Sequence, residues 1–280
     1  MKKIIIGKNG FIAKQLLQRN VYQVTSSELN CKETNYLDLN NPEIFDYTKL
    51  DENTKIIFLA AVSSPDECNK NYGNSYEVNV SGTRYFIKEA IKRGAKVLFF
   101  SSDVVYGNRI EKVDEDSETN PFGNYAKMKD EVEKTFEGEK NFKVFRLSYV
   151  LSKEDKYLSY LKNCIDKNEV AEVFHPFTRK VVYIEDVLQS IENIIERWDK
   201  FQNQKFNICG EEDISRKDIA DFYNDTVENK LKYSITKPNE KFWEARPKDI
   251  NITSMYLEKL IGRKPTKIKD AINKIIQGEK

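Results

Sequence analysis

The sequence predicts an α/β fold, a doubly wound parallel sheet with a smaller C-terminal α/β lobe, and three observations predict it. Short apolar runs rich in Val, Ile and Phe recur at 3–6, 21–25, 55–60, 96–101 and 142–147. Stretches with helical spacing separate them, including 11–17 and 81–93, the latter closing on Gly94. The runs are almost continuously apolar rather than alternating, the mark of strands covered on both faces by intervening helices. The first run also opens into a glycine-bearing turn and then a helix, Gly7-Lys8-Asn9-Gly10-Phe11-Ile12.

Taken in order, the strand at 3–6 delivers that turn, where glycines let backbone amides approach a pyrophosphate and the following helix dipole favours its charge. Alone, such a turn is more often an ordinary tight turn; the βαβ continuation favours the phosphate site. The second run leads to Thr25-Ser26-Ser27 and later to Asp38-Leu39. The third ends at Ala60-Ala61-Val62-Ser63, the fourth at Ser101-Ser102-Asp103-Val104 and the fifth at Leu147-Ser148-Tyr149. Ligands of open parallel sheets bind beyond the carboxyl ends of the strands, so these tails form the candidate site. Further on, 157–167 reads as a helix, 174–179 as a loop, and 180–187 as a return to the sheet that starts a helix. The acidic run 111–118 reads as a solvated loop, and 237–243 as a loop folding over a ligand.

Tyr125 and Lys129 stand four residues apart, so on a helix they share a face and reach one bound molecule. With 15 Tyr and 36 Lys in 280 residues, composition alone supplies about two Tyr-x-x-x-Lys spacings, and the chain has three. Tyr149 to Lys153 follows a strand without a preceding hydroxyl-bearing strand end, and Tyr233 to Lys237 runs into Pro238. Context therefore selects Tyr125, 23 residues after Ser102. A phenol titrates near ~10 when unperturbed, and a neighbouring ammonium lowers that value, which makes the pair an acid–base device. The bland alternative is a half-buried aromatic, a solvated lysine and a strand-end serine.

Gly7-Lys8-Asn9-Gly10, Asp38-Leu39, Ala60-Ala61-Val62 and Asn79-Val80-Ser81-Gly82-Thr83 are followed by Ser101-Ser102-Asp103-Val104-Val105-Tyr106-Gly107. Asn120-Pro121 then leads into Tyr125 and Lys129, with Phe145-Arg146-Leu147-Ser148 and Ala245-Arg246-Pro247 beyond. In this order and spacing the chain resembles the extended short-chain dehydrogenase/reductases of the NAD-dependent epimerase/dehydratase superfamily, which act on nucleotide-activated sugars. It most resembles the dTDP-4-dehydrorhamnose reductase-like branch, over most of its length.

The resemblance implies a Rossmann-type dinucleotide-binding domain over 1–150 and about 178–205, and a substrate-binding lobe over about 151–177 and 206–280. It implies Ser102, Tyr125 and Lys129 as catalytic residues with Asp103 beside them. The implied cofactor cradle is Gly7, Lys8, Asn9, Gly10, Phe11, Ile12, Ser26, Asp38, Leu39, Ala60, Ala61, Val62, Asn79, Ser101, Tyr125, Lys129 and Leu147. The implied substrate site is Ser63, Ser102, Asp103, Val104, Tyr125, Arg179 and Arg246. Tyr125 is then the general acid that protonates a keto oxygen as hydride arrives, Ser102 hydrogen-bonds the same oxygen, and Lys129 also holds the cofactor ribose. The Ser101 hydroxyl lies one residue off the family register. Asp103 stands open between proton transfer, sugar binding and capping the next loop.

Absences narrow the class. Relatives that dehydrate sugars at carbons 4 and 6 carry Asp-Glu after the catalytic hydroxyl, whereas Val104 follows Asp103 here. Relatives that combine 3,5-epimerisation with reduction place Cys at the Asp103 position with a His partner, and the one histidine, His175, sits in no such motif. The second strand ends in hydroxyls without the carboxylate that NAD sites use for the ribose, and Lys8 supplies a counter-charge, so NADP(H) is expected ahead of NAD(H). A dissociable NADPH suits a net reductase of a nucleotide-diphosphate 4-keto-6-deoxy sugar, making a deoxysugar donor for surface polysaccharide. An NAD-retaining epimerase is the runner-up, and a non-catalytic NADP-binding regulatory protein the third reading. Arg179 and Arg246 are assigned to the diphosphate, because a planar guanidinium pairs two phosphate oxygens at once. Dimerisation through sheet-domain helices, with Phe122 and 125–135 contributing, is a further expectation of the resemblance.

A formal charge of +1 offers no excess to attract nucleic acid or an anionic membrane. No apolar run approaches the ~20 residues of a membrane span, and the start of the chain lacks a signal peptide's apolar region, so a cytoplasmic enzyme is expected. Cys31, Cys68, Cys164 and Cys209 are too scattered for a structural zinc site, so no metal is expected and the thiols should stay reduced.

Overall fold

The computed structural model describes residues 2–19, 22–27 and 35–278. Its central sheet has seven parallel strands: β1 (Lys2–Ile6), β2 (Gln23–Ser26), β3 (Asn35–Tyr36), β4 (Thr54–Phe58), β5 (Lys96–Ser102), β6 (Phe142–Leu147) and β7 (Lys205–Ile208). Their spatial order is β7-β6-β5-β4-β1-β2-β3. The chain winds one way from β1 to β3 and the other way from β4 to β7, so the switch point, where such sheets bind ligands, lies between β1 and β4.

Alternation explains the continuous apolar runs. Ile4, Ile6, Ile56, Phe58, Val97 and Phe99 point to one face, while Ile5, Ile57, Leu98 and Phe145 point to the other, and all are buried. Each such side chain contributes about 1.5–3 kcal/mol when fully removed from water, and covering helices supply both surfaces. Helices α1 (Phe11–Arg19), α2 (Thr83–Lys92) and α3 (Asn124–Thr135) cover the sheet; α4 (Lys156–Asp166) packs on the Ala171–Phe174 strand, and α5 (Ile184–Glu196) lies beside α1. Ile12 and Leu16 of α1 and Val187, Ile191 and Ile194 of α5 cover the Ile5 face, and the same cluster continues into the lobe through Leu158 and Leu161 of α4. Phe86, Ile87 and Ala90 of α2, with Val132 of α3, cover the Ile4 face.

Several expectations change. The helix read over 81–93 begins as α2 at Thr83, after a π-helical turn at Glu77–Gly82. There Gly82 lies so close to the second-strand connection that a Cβ would stand 1.8 Å from the Leu39 carbonyl oxygen. The 174–179 loop is flanked by strands: Ala171–Phe174 pairs with Tyr233–Thr236, and Thr178–Lys180 pairs with Asp213–Ser215. The return after 180 joins a two-residue strand, Val182–Tyr183 against Val150–Leu151, rather than the central sheet. β7 pairs with β6, so the domain boundary drawn at 205 falls inside a strand of the sheet. Within the 237–243 segment, Glu240–Trp243 is helical.

The acidic run is likewise only partly solvated. Arg109–Val113 is a strand, and the Glu115 carboxylate is buried, accepting from the amides of Asn207 at 2.9 Å and Met255 at 3.0 Å and from Ser254 Oγ at 3.0 Å. It ties this loop to the sheet edge and to the C-terminal segment. No helix among the described residues is long and apolar enough to cross a membrane.

Candidate active site

The carboxyl ends of β1, β4, β5 and β6 open into one cleft of about 1130 Å³. Its first wall is the glycine turn. Gly7 adopts φ +95°, a region that side chains other than glycine rarely enter, and a Cβ there would stand 2.7 Å from the Ala60 amide nitrogen. The turn therefore lies on the tail of β4, and the start of α1 faces the cleft. Gly7, Lys8, Asn9, Gly10, Phe11 and Ile12 line it, as do Asp38 and Leu39, the β4 tail from Ala60 to Ser63, and Leu147.

The opposite wall carries the chemistry. Ser101 and Ser102 end β5, Tyr125 and Lys129 occupy the cleft side of α3, and all four line the cleft. The Lys129 ammonium donates to the Phe100 carbonyl at 2.7 Å and lies 4.5 Å from the centre of the Phe99 ring. Burial depresses it to about 8, with Glu133 pulling the other way. The Tyr125 phenol is pushed above its ordinary value, first by burial and then by Cys68 and Asp103. This corrects the expectation that Lys129 lowers it: the ammonium is drawn to a strand carbonyl, and desolvation governs the phenol. Tyr125 accordingly holds its proton, the state a general acid requires.

Four predicted site residues stand behind the cleft instead of lining it. Asp103 is 5% exposed, and its carboxyl bridges Ser102 Oγ at 3.0 Å and Ser148 Oγ at 3.1 Å, so it meets no sugar directly. Val104 packs against a small cluster with Val105 and Tyr106. Asn79 clamps the β4 tail, accepting from the Val62 amide at 2.8 Å and donating to the Val62 carbonyl at 3.0 Å. Arg179 is buried, stacks 4.6 Å from the centre of the Phe177 ring, and donates to the carbonyls of Thr178, Pro247 and Lys248 at 2.5–2.9 Å. Three backbone carbonyls hold it behind the cleft, away from the lining, which removes it as a diphosphate ligand. The Ser26 side chain lies outside the described residues.

Arg246 does line the cleft, stacked 4.9 Å from the centre of the Phe242 ring and paired with Asp66 at 2.6 Å. Sequence reading missed its counterpart. Arg216 lines the same end, 4.9 Å from the centre of the Tyr157 ring and 5.4 Å from that of Phe177, beside Lys156 at the start of α4. The cation–aromatic contacts hold both guanidinium groups on the cleft lining. No signal in the sequence separates Arg216 from Arg179, because the pairing of Thr178–Lys180 with Asp213–Ser215 decides which one faces the cleft.

A dinucleotide fits the residues present. The glycine turn and the N-terminus of α1 line the same space, where backbone amides suit a pyrophosphate, and the buried Ser101 hydroxyl on the cleft wall has no partner among the described residues. Among the described residues no group of three or more His, Cys, Asp or Glu could hold a metal.

Comparison with known proteins agrees with this architecture. An Escherichia coli O157:H7 N-acetyl-alpha-D-glucosaminyl-diphospho-ditrans,octacis-undecaprenol 4-epimerase is 28% identical over 134 residues, covering 45% of this chain and 40% of the relative. A dTDP-4-dehydrorhamnose reductase of Aggregatibacter actinomycetemcomitans is 29% identical over 125 residues, covering 44% of this chain and 41% of the relative. The chain thus spans about two fifths of the length of the curated relatives it matches. The solved dTDP-4-dehydrorhamnose reductase of Bacillus anthracis in complex with NADP superposes with a TM-score of 0.80 at 19% identity, covering 100% of this chain and 99% of that one, a likeness that shows the shared fold. The family model described as the RmlD substrate binding domain matches residues 1–280, and the chain belongs to that family.

Proposed function

We propose that the protein reduces the 4-keto group of a nucleotide-diphosphate 4-keto-6-deoxy sugar with NADPH, supplying a deoxysugar donor for surface polysaccharide. One observation carries the reading: a phenol, a buried ammonium and a seryl hydroxyl share one wall of a cleft whose other wall suits a dinucleotide. The cofactor, when bound, supplies a hydride. Every other task falls to this chain. Gly7 to Ile12 receive the pyrophosphate, and Lys8 with Ser27 at the end of β2 suits a 2′-phosphate. Tyr125 gives its proton to the keto oxygen, Ser102 holds that oxygen, and Lys129 holds the ribose and keeps positive charge beside the phenol as it loses its proton.

Arg216 and Arg246 take the substrate diphosphate, with Ser63 on the β4 tail facing the sugar. The lobe that recognises the substrate comprises about 151–177 and the chain beyond β7. The relative that is an undecaprenol-linked sugar 4-epimerase keeps epimerisation as the second reading. The test follows NADPH and NADH oxidation with dTDP-, CDP-, GDP- and UDP-4-keto-6-deoxy sugars. Rapid consumption with one nucleotide supports the reductase; a product isomer without net consumption favours the epimerase.

A further inference from the structure

Two cleft-lining serines rest on one buried carboxyl. Ser102 Oγ lies 3.0 Å from Asp103 Oδ1 and Ser148 Oγ lies 3.1 Å from Asp103 Oδ2, while Asp103 itself is screened from the cleft. The Val104 amide also reaches Ser102 Oγ, at 3.4 Å. An ionised carboxylate only accepts, so an ionised Asp103 would draw both seryl protons downward and present only oxygen lone pairs to the cleft. A keto oxygen also only accepts. Ser102 could then offer it nothing, and the role given to Ser102 would fail.

We propose that Asp103 is a positioning residue that carries a proton during reduction, donating it in a hydrogen bond to Ser102 so that the Ser102 hydroxyl turns to the keto oxygen. The proposal rests on the reductase reading above. Ser148 continues to donate to the other carboxyl oxygen and fixes the carboxyl plane. The Asp103 proton is not consumed: Tyr125 supplies the proton of the new hydroxyl and the cofactor supplies the hydride, so Asp103 acts only through the direction of one hydrogen bond.

The surroundings suit a neutral carboxyl. Burial raises it above the ordinary carboxylate range, against the pull of Arg179 and of the two seryl hydroxyls. Arg179 faces it from the Thr178–Lys180 strand, and three backbone carbonyls hold its guanidinium there. The other titratable groups bearing on it are Tyr125 of α3 and Cys209 after β7, both held protonated by burial. Neither adds a positive charge.

Infrared difference spectroscopy on the full chain, wild type minus Asp103→Asn near neutral pH, tests the proton directly. The expected result is a protonated-carboxyl stretch present only in the wild type; carboxylate bands in its place would overturn the proposal. Kinetics supply the second readout. Asp103→Asn has a built-in N–H donor and keeps kcat within about tenfold, whereas Asp103→Ala drops kcat about a hundredfold, the scale of losing one donor to a developing oxyanion, with KM less changed. A folded Asp103→Asn as slow as Asp103→Ala would also overturn it. If no 4-keto sugar is turned over, the reductase reading fails, while the infrared spectrum still decides where the proton sits.

Discussion

Replacing Glu133 by Gln tests what holds the catalytic helix. The side chains of Glu133 and Arg146 are each 2% exposed, and the guanidinium donates to one carboxylate oxygen at 3.0 and 2.6 Å and to the Tyr106 hydroxyl at 2.7 Å. Glu133→Gln preserves shape but strands a buried cation, which costs about 3–5 kcal/mol. At about 2–4 °C per kcal/mol for large domains, the melting temperature should fall on the order of 10 °C. Glu133 also supports the positive charge of Lys129, one turn away on α3, so the substitution pushes that ammonium further below about 8. The alkaline limb of kcat/KM should therefore move to lower pH. Calorimetric melting and a pH–rate profile read the two effects separately. A melting temperature within about 2 °C of wild type, where one kcal/mol is expected to shift it that much, would refute the energetic argument. A fallen melting temperature with an unmoved limb would disconnect Glu133 from Lys129. Glu133→Leu combined with Arg146→Met should recover much of the stability, because it removes both buried charges together.

Tyr125→Phe should lower kcat by about 10²–10⁴ while leaving NADPH affinity nearly intact by fluorescence titration, whereas Lys129→Ala should damage both; retention of most of the rate in the former would displace Tyr125 as the acid. Gly7→Ala should cost about 1–3 kcal/mol of stability through its positive φ and weaken cofactor binding, read by melting with and without NADPH. Arg216→Ala should raise KM for the nucleotide sugar more than it lowers kcat, while Arg179→Ala should show mainly as a lower melting temperature; the reverse pattern would return Arg179 to the substrate. Lys143 is buried, donates to the Asn203 carbonyl at 2.8 Å, and is depressed to about 8. The unfolded chain binds its proton more tightly, so this lysine should add stability as pH rises from about 8 toward its ordinary value, and Lys143→Met should flatten that rise in a melting series.

What the sequence made legible was local. Five strands and the glycine turn could be read because each depends on neighbours in the chain: period, apolarity and a turn residue. Tyr125 and Lys129 could be read because helical spacing alone puts them on one face. The misreadings share a different cause. Glu115 looks solvated until Asn207 and Met255, about a hundred residues or more away, bring amides to it. Arg179 and Arg216 look interchangeable until a distant strand pairing turns one inward. Asp103 sits one residue after a cleft serine, and the short helical turn Asp103–Tyr106 sends its carboxyl under the serines rather than past them. Such outcomes depend on long-range packing, which residue spacing does not encode.

The π-helical turn at Glu77–Gly82 sets a limit on length variation. A turn that holds one residue more than an α-helix would is a built-in insertion. Deleting a single residue there would let the helix become regular with its flanks still in phase, but the residues inside the turn would be redistributed. Asn79 would then lose its grip on Val62, or Gly82 its seat against Leu39. Point changes at exposed Glu77 should be absorbed, but a one-residue deletion anywhere in 77–82 should not, so a deletion next to Glu77 should be far more damaging than a substitution there.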